Sequence, residues 1–393
     1  MALTASFILF RRGPRRWPRS VRLMSSRRTL SRGAVAEIEL ELKSGDRSEL
    51  FALARQISAI VPAEISVKSK SERGYELIDG VKNRAVMAQD PGLLPSATIT
   101  EAFQIICNEC LHQLISNKSG VRAHVSEALH QARVALRRFD AAIKLFGKIL
   151  NEQKATKVGG ELKWIGDELA GARELDVFIT DILLPLRTKH PKESIVVKVD
   201  RACILQREAA YARANAALAS QRFRTFLIDV AEWIETGSQQ QKAGLRLKGE
   251  PSAKDRVSRT LSKIWSKMTP GRHIDELDLR RLHKLRLRAK RMRYTIELTR
   301  GLHEANPRRV ERLLKQLGKL QSALGQLNDL ASARTILHRI AVEAKAGPKN
   351  VEARVTSGPV TKIAANHESK KSKQLKKAAK AFEKLEDIKP FWI

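Results

Sequence analysis

The sequence predicts a mostly α-helical fold: two helical bundles related by a pseudo-twofold axis, preceded by a small αβ segment. Three observations carry this. From Pro91 onward, strand signals nearly vanish and apolar residues recur at helical spacing. One unusual helix is written twice, as LHQARVALRRFDAAIKLF at 129–146 and LHKLRLRAKRMRYTIELT at 282–299. Strict apolar/polar alternation is confined to an upstream stretch, AEIELELKSGD at 36–46, which reads as a half-buried strand.

The elements follow in order. After 36–46, residues 48–60 have helical periodicity, and 64–77 read as extended chain ending in a Gly-Tyr turn. This segment of about 45 residues is too short to bury a core alone and must lean on a neighbour or pair between chains. Thr98 and Glu101 have capping-box spacing ahead of an apolar-periodic helix to about residue 116. Helical patterns then cover roughly 123–149, 152–171, 174–186 and 193–235. A polar linker occupies 236–255, and a second set covers about 255–269, 274–302, 308–326 and 328–345. Gly, Pro and Ser break the chain at 345–359, before a Lys-rich helix over about 364–387.

The repeated helix carries the chemistry. Each helical residue advances about 100°, so Arg133, Arg137 and Lys144 fall within about 60° of His130. His283, Arg286, Lys290 and Arg293 occupy the same sector in the second copy. The apolar residues Leu129, Leu136, Phe139 and Ile143 lie on a separate face, matched by Leu282, Ala289, Met292 and Ile296. A charged face is ordinarily a solvated one with mixed signs. These two are almost free of acid, with only Asp140 interrupting the first, and His stands at the same phase in both. Like charges at i and i+4 repel, so the pattern points to an anionic ligand. The duplication continues downstream, where Leu162, Ile165, Leu169 and Ala172 lead into Arg173-Glu174. Leu317, Leu320, Leu324 and Leu327 lead likewise into Asn328-Asp329. The acid follows its His by 44 residues in one copy and 46 in the other, so each copy reads as a basic helix, a second helix and a turn. Two such bundles are expected to dock with their basic helices facing one another.

Composition sets the partner class. The 393 residues hold 74 Lys and Arg against 42 Asp and Glu, a formal net charge of +32. An excess of that size implies a polyanion: nucleic acid, an acidic membrane surface or a phosphate polymer. Hydrophobic residues at 42% suffice for a substantial core. Aromatics at 5% are too scarce for base stacking to organise recognition. Cys107 and Cys110 have CxxC spacing without a second pair, and sit in the apolar run AFQIICNECLHQLI, so they read as core rather than zinc ligands. That cysteine usage fits a reducing cytoplasm. No apolar run reaches the roughly 18 residues of a membrane span. Residues 1–36 hold nine arginines and no acid. The arginines follow the short apolar stretch, the reverse of a secretory signal. A transit peptide, a basic disordered arm and a start placed too far upstream all fit, and residues 1–33 are set apart as a disordered leader.

The paired His-x-x-Arg-x-x-x-Arg/Lys-Arg helices, the ARELDVF and LGQLNDL stretches and the closing AFEKLEDIKPFW resemble the CHAD family, whose name denotes a conserved-histidine α-helical domain. The resemblance covers about 95–392, with halves at about 95–236 and 255–392. It implies two four-helix bundles related by pseudo-twofold symmetry whose basic residues line a central groove or pore, binding of inorganic polyphosphate, and association with polyphosphate granules. Asp140 departs from the family, which more often has a basic residue there, and this weakens the first half-site. Residues 34–80 resemble the later part of a CYTH (triphosphate tunnel) domain: AEIELELKSGD, the LFALA helix and SKSERGYEL carry the likeness. Glu39, Glu41 and Lys43 spell its Glu-x-Glu-x-Lys pattern.

A phosphate polymer offers only charge and acceptor oxygens, so its receptor needs Arg forks and Lys point charges at successive spacings. The expected ligands are His130, Arg133, Arg137, Arg138, Lys144, His283, Arg286, Lys290, Arg291 and Arg293. Arg138 and Arg291 lie about 80° from the stripe's centre, at its rim. Tyr294 is equally suited to donating a hydroxyl and to a core place. Glu174 and Asp329 read as helix caps or partners that orient an Arg. No cofactor is expected. Two other readings compete: a sequence-independent nucleic-acid binder, with the leader and KKSKQLKKAAK at 370–380 as arms, and a metal-dependent triphosphatase using Glu39, Glu41 and Lys43. A closed tunnel needs about eight strands and this segment supplies two or three, so a non-enzymatic remnant is expected, with Glu39 and Glu41 at most weak metal ligands.

Overall fold

The computed structural model describes residues 5–9, 21–30, 33–42, 44–68, 70–78, 83–189, 191, 194–236, 252–268, 274, 277–304, 306–343 and 359–393. The protein is mostly helical, with a small strand segment at its N-terminal end. It divides into two compact units.

The first unit comprises Met1–Pro91, Ala97–Ala170 and Tyr211–Pro251. Strands β1 (Ala5–Leu9), β2 (Val21–Leu30), β3 (Gly33–Leu42) and β4 (Glu64–Ile65) form one sheet in the order β2-β3-β1-β4. β2 and β3 pair antiparallel, with Arg22 opposite Glu41 and Leu30 opposite Gly33, while β1 runs parallel to β3 and β4. The disordered leader expected over 1–33 is thereby corrected at residues 5–9 and 21–30. The arginines of β2 obscure its alternation, yet a two-residue connection brings its partner strand at little loop-closure entropy.

Helix α1 (Arg47–Ile60) opens on Asp46, whose side chain accepts from Ser48 N at 2.9 Å. Its buried face, Leu50, Phe51 and Ala54, turns inward. The extended chain expected over 64–77 stops after Ile65, and α2 (Lys70–Ile78) is helical instead. From Lys70 to Leu77 there is no β-branched residue, and Lys, Glu, Arg and Leu favour helix.

The helical part of this unit is built from α3 (Ile99–Ser116), α4 (Lys118–Arg122), α5 (Ser126–Ala142) and α6 (Glu152–Glu168). The capping box is present: Glu101 N donates to Thr98 Oγ1 at 3.2 Å and Thr98 N to Glu101 Oε2 at 3.0 Å. Cys107 and Cys110 are buried with Phe103, Ile106 and Leu114 on the core face of α3, and burial pushes the Cys110 thiol up to about 12. Of the helices that follow, α10 (Gln221–Thr236) belongs to this unit, α7 (Ala170–Phe178) and α8 (Leu184–Lys189) fall almost wholly in the second, and α9 (Ser194–Ala219) is divided at Ala210. The single helix expected over 193–235 is two helices, divided at Ser220, whose hydroxyl accepts from Phe223 N at 3.1 Å.

The N-terminal segment leans on its own chain. Arg55 Nε bonds Asp229 at 3.0 Å and its Nη2 pairs with Glu232, while Arg47 meets Glu235 at 3.5 Å. In return Lys118, buried at 7% exposure, reaches Glu64 of β4 at 2.7 Å. Burial pulls the Lys118 pKa down while Glu64 holds it up. Removing either partner of so buried a pair would strand an uncompensated charge.

The second unit comprises Gly92–Ser96, Gly171–Ala210 and Ser252–Ile393. Its helices α11 (Ala253–Met268), α12 (Leu279–Thr299), α13 (Pro307–Glu343) and α14 (Pro359–Glu386) share a core of Leu261, Ile264, Met292, Ile296, Leu313, Leu317, Leu320, Phe382 and Leu385. Two expected turns are absent: Arg173-Glu174 lies within α7, and Asn328-Asp329 within the continuous α13. Glu174 therefore does not cap a helix, and the backbone at Asp329 lies inside one. Apolar residues keep helical spacing there, Ala, Arg and Leu sustain helix through both sites, and no Pro interrupts it. The linker at 236–255 falls mainly outside the described residues, as do Lys43 and most of 345–359.

The chain end closes this core. Trp392 Nε1 donates to Ser262 Oγ at 3.1 Å, and Phe391 meets Trp392 and His303 edge-on, each with centroids 4.9 Å apart. Gly301 permits the approach of Leu93, whose carbonyl oxygen a Cβ would strike. Burial, then the charge of Lys254, pushes the His303 pKa down to about 4 from its usual 6.5. The unfolded chain thus binds a proton that the folded one refuses. His303 stabilises the fold fully above pH 6.5, and that contribution is lost as pH falls toward 4. Thermal melts should show a drop in midpoint between pH 7 and pH 4 that is smaller in His303→Gln; equal drops in both proteins would place the acid sensitivity elsewhere.

Candidate functional site

The first basic helix, α5, buries Leu129, Ala132, Leu136 and Phe139 and leaves His130, Arg133 and Arg137 half-buried on the other side. This is the arrangement the 100° spacing requires. Arg133 Nη1 donates to the Gly166 carbonyl on α6 at 2.6 Å, and Arg137 Nε to the Arg133 carbonyl at 3.2 Å. The helix ends in a π-helical turn, Ile143–Gly147, which buries Ile143, Leu145, Phe146 and Gly147 and leaves Lys144 exposed. A Cβ on Gly147 would come within 3.1 Å of the Trp233 ring, so a larger residue there requires the ring to shift by a few tenths of an ångström. Lys144 is held by Asp140 at 2.6 Å.

Arg138 departs from expectation. It is 2% exposed, with Nη1 donating to Gln113 Oε1 at 3.0 Å and Nη2 to the Gln89 carbonyl at 2.6 Å. Gln113 Nε2 donates in turn to Gln131 Oε1 at 3.2 Å, and Gln131 to Glu127 at 2.7 Å. Arg138 is therefore removed from the ligand set. Its offset from the stripe turns it toward α3, where a buried cation is tolerated because its donors are matched by acceptors.

The second basic helix, α12, starts on Asp278, which accepts from Arg281 N at 2.7 Å. Leu282, Leu285, Ala289, Met292 and Ile296 are buried. Arg286, Lys290, Arg293 and Tyr294 are half-buried, and His283 and Arg291 are exposed. Arg293 Nε is bonded to Glu297 at 2.7 Å. Glu297 stands at the position matching Lys144, as Arg293 matches Asp140. The same i,i+4 ion pair thus ends the stripe in both copies with its charges exchanged. The second stripe is not as free of acid as the spacing of its cations suggests.

A further equivalence fixes how each basic helix meets the next one. Gly166 accepts from Arg133, and Gln321, at the matching position, donates Nε2 to the Ala289 carbonyl at 2.9 Å. Donor and acceptor exchange sides, the same point of the second helix being used while the partner on the basic helix moves about one turn, from Arg133 to the match of Leu136.

Two exposed cations on α12, Arg280 and Lys284, were missed. Their signal was available, since Arg280, Lys284 and Arg291 are spaced by four and seven residues. Glu39 and Glu41 lie half-buried on one face of β3. Among the described residues no group of three or more His, Cys, Asp or Glu is placed to hold a metal ion. No described helix is long and apolar enough to cross a membrane.

Comparison with known proteins places this geometry. The family profile described as the CHAD domain matches residues 105–338. The crystal structure of the CHAD domain from the plant Ricinus communis is similar at a TM-score of 0.56 and 23% identity, covering 78% of this chain and 98% of that one. PptA from Streptomyces chartreusis is similar at a TM-score of 0.50 and 17% identity, covering 73% of this chain and all of that one. No curated protein matches the sequence.

Arg138→Ala should destabilise the protein by about 2–4 kcal/mol, because it leaves buried amide and carbonyl groups unmatched. Arg291→Ala should leave the melting temperature unchanged. If Arg138→Ala melts like the parent, the buried network is not holding α3 to α5.

Proposed function

The chain belongs to the CHAD family, a family of non-catalytic binding domains, and on that premise we propose that it binds inorganic polyphosphate. The ligands are His130, Arg133, Arg137 and Lys144 on α5 and His283, Arg286, Lys290, Arg291 and Arg293 on α12. The observation that carries this reading is the twice-built helix with an apolar face in a core and cations at helical intervals on the other. Half-buried Arg and Lys have lost part of their hydration, so the field they present to an anion is less screened than that of a free side chain. Arg supplies paired donors to phosphoryl oxygens and Lys a mobile point charge. Neutral His donates one hydrogen bond, and an approaching phosphate favours its protonated form, which donates two. Lys144 and Arg293 are held by Asp140 and Glu297, so they enter binding by exchanging a carboxylate for a phosphate. Association with polyphosphate granules in the cytoplasm follows from the same chemistry.

The test is titration of the full chain with long-chain polyphosphate at several salt concentrations, with single-stranded RNA as competitor. Affinity should fall steeply as salt rises, because counterion release dominates binding to a linear polyanion. Arg286→Ala with Lys290→Ala should weaken it about tenfold or more at an unchanged melting temperature. Salt-independent binding, or displacement of polyphosphate by equimolar RNA, would sink the proposal. Protonation adds charge to His283 and His130, so His→Ala at either should matter more at pH 6 than at pH 8.

The upstream segment reads as a CYTH-like remnant without hydrolytic function. Among the described residues its sheet has four strands, two of them parallel to β1, whereas enclosing a triphosphate takes about eight strands closed on themselves. Tripolyphosphate with magnesium or manganese should release no phosphate. Turnover abolished by Glu41→Gln would instead make the segment an enzyme.

A further inference from the structure

The two basic helices differ on one flank. Around α12, Arg280, Lys284 and Arg291 fall within about 40° of one another, in a row centred about 80° from His283. The inner row of His283, Arg286, Lys290 and Arg293 lies on the opposite side of His283, so the two rows are about 120° apart. Arg280, Lys284 and Arg291 are all exposed, and none has an ion-pair partner among the described residues. Leu287, in the same row, is 51% exposed. The matching positions on α5 are Glu127, Gln131, Val134 and Arg138, of which Gln131 and Arg138 are buried in the network with Gln113. The first copy has used this flank for packing, and the second has left it as a cationic track.

We infer that α12 carries a second binding row, Arg280–Lys284–Arg291, which takes a further stretch of linear polyphosphate beside the inner row and makes binding depend on chain length. The inference rests on the polyphosphate reading and extends it. The row rises about 6 Å from Arg280 to Lys284 and about 10 Å more to Arg291, a run that a polymer spans and a small phosphate does not. Cations this exposed gain little from a single phosphate, so the row acts through multivalency: a chain held on the inner row presents its continuation at high local concentration. One leucine among three cations favours a polyanion over an acidic amphipathic peptide, which would need apolar contacts at i, i+3 and i+4.

The experiment compares the full chain with the double variant Arg280→Ala, Lys284→Ala, which leaves Arg291 in place, against long-chain polyphosphate, short-chain oligophosphate and single-stranded RNA. The expected result is about a tenfold loss of affinity for the long chain with short-chain affinity unchanged within about twofold. Arg280→Lys with Lys284→Arg should keep long-chain binding at the parent level, since the row works by charge. Equal loss for both lengths would merge the row with the inner site, and no loss for either would make it a solvated face. Loss confined to RNA would assign it to nucleic acid. Each of these overturns the inference while leaving the polyphosphate reading standing. A parent protein that binds neither phosphate length would remove that reading and this one with it.

Discussion

Crowding like charges onto one side of a helix opposes its formation at every i,i+4 step, and burial of the opposite side offsets that repulsion. The magnitudes are unequal. A like-charged pair on a helix surface costs a few tenths of a kcal/mol, whereas full burial of one Leu or Phe side chain contributes about 1.5–3 kcal/mol. Leu129, Leu136 and Phe139 on α5, and Leu282, Met292 and Ile296 on α12, are all 7% exposed or less. The cores therefore hold both helices despite their charge, and the residual repulsion is available to an anionic ligand. Everything else about the site follows from that anchoring, because it fixes the direction in which each cation points.

Both copies end the stripe with an i,i+4 ion pair, Asp140–Lys144 in one and Arg293–Glu297 in the other. Exchange of the two charges keeps the local neutralisation and moves the cation by one turn. The crossing of each basic helix with its successor behaves alike, being fixed at Gly166 in one copy and Gln321 in the other with donor and acceptor reversed. What the duplication preserves is the place of an interaction rather than the residues that make it. The flanks have diverged further: Arg138 stitches α5 to α3, while its counterpart Arg291 is exposed.

The N-terminal segment illustrates how a piece too small for its own core is kept in place. α1 contributes only a narrow buried face, and its remaining hold on the first unit is ionic, through Arg47 and Arg55 to Glu235, Asp229 and Glu232. The acids of α10 are thus taken up by the segment's arginines. Glu64 closes the arrangement from the other side by accepting the buried Lys118.

Much was legible in the sequence because helical periodicity is a local property. The apolar and cationic faces of α5 and α12, the Thr98–Glu101 capping box and the core place of Cys107 and Cys110 all depend on residues within a few turns of one another, and the CHAD resemblance is carried by such local patterns repeated along the chain. The sequence also located nine of the ten candidate ligands on half-buried or exposed positions. It misplaced Arg138, because phase gives a direction but not what lies there, and only the packing of α3 shows that Gln113 and the Gln89 carbonyl receive that guanidinium. The strands at 5–9 and 21–30 were hidden for the same reason, since a strand is completed by hydrogen bonds to a partner that periodicity does not name. The turns expected at Arg173-Glu174 and Asn328-Asp329 were inferred from a polar-acid pair after a leucine run, and such a pair does not end a helix whose neighbours favour it. The sequence by itself determined which helices carry charge and in what direction; the tertiary structure decided which of those charges reach solvent, because that depends on the neighbour each flank is packed against.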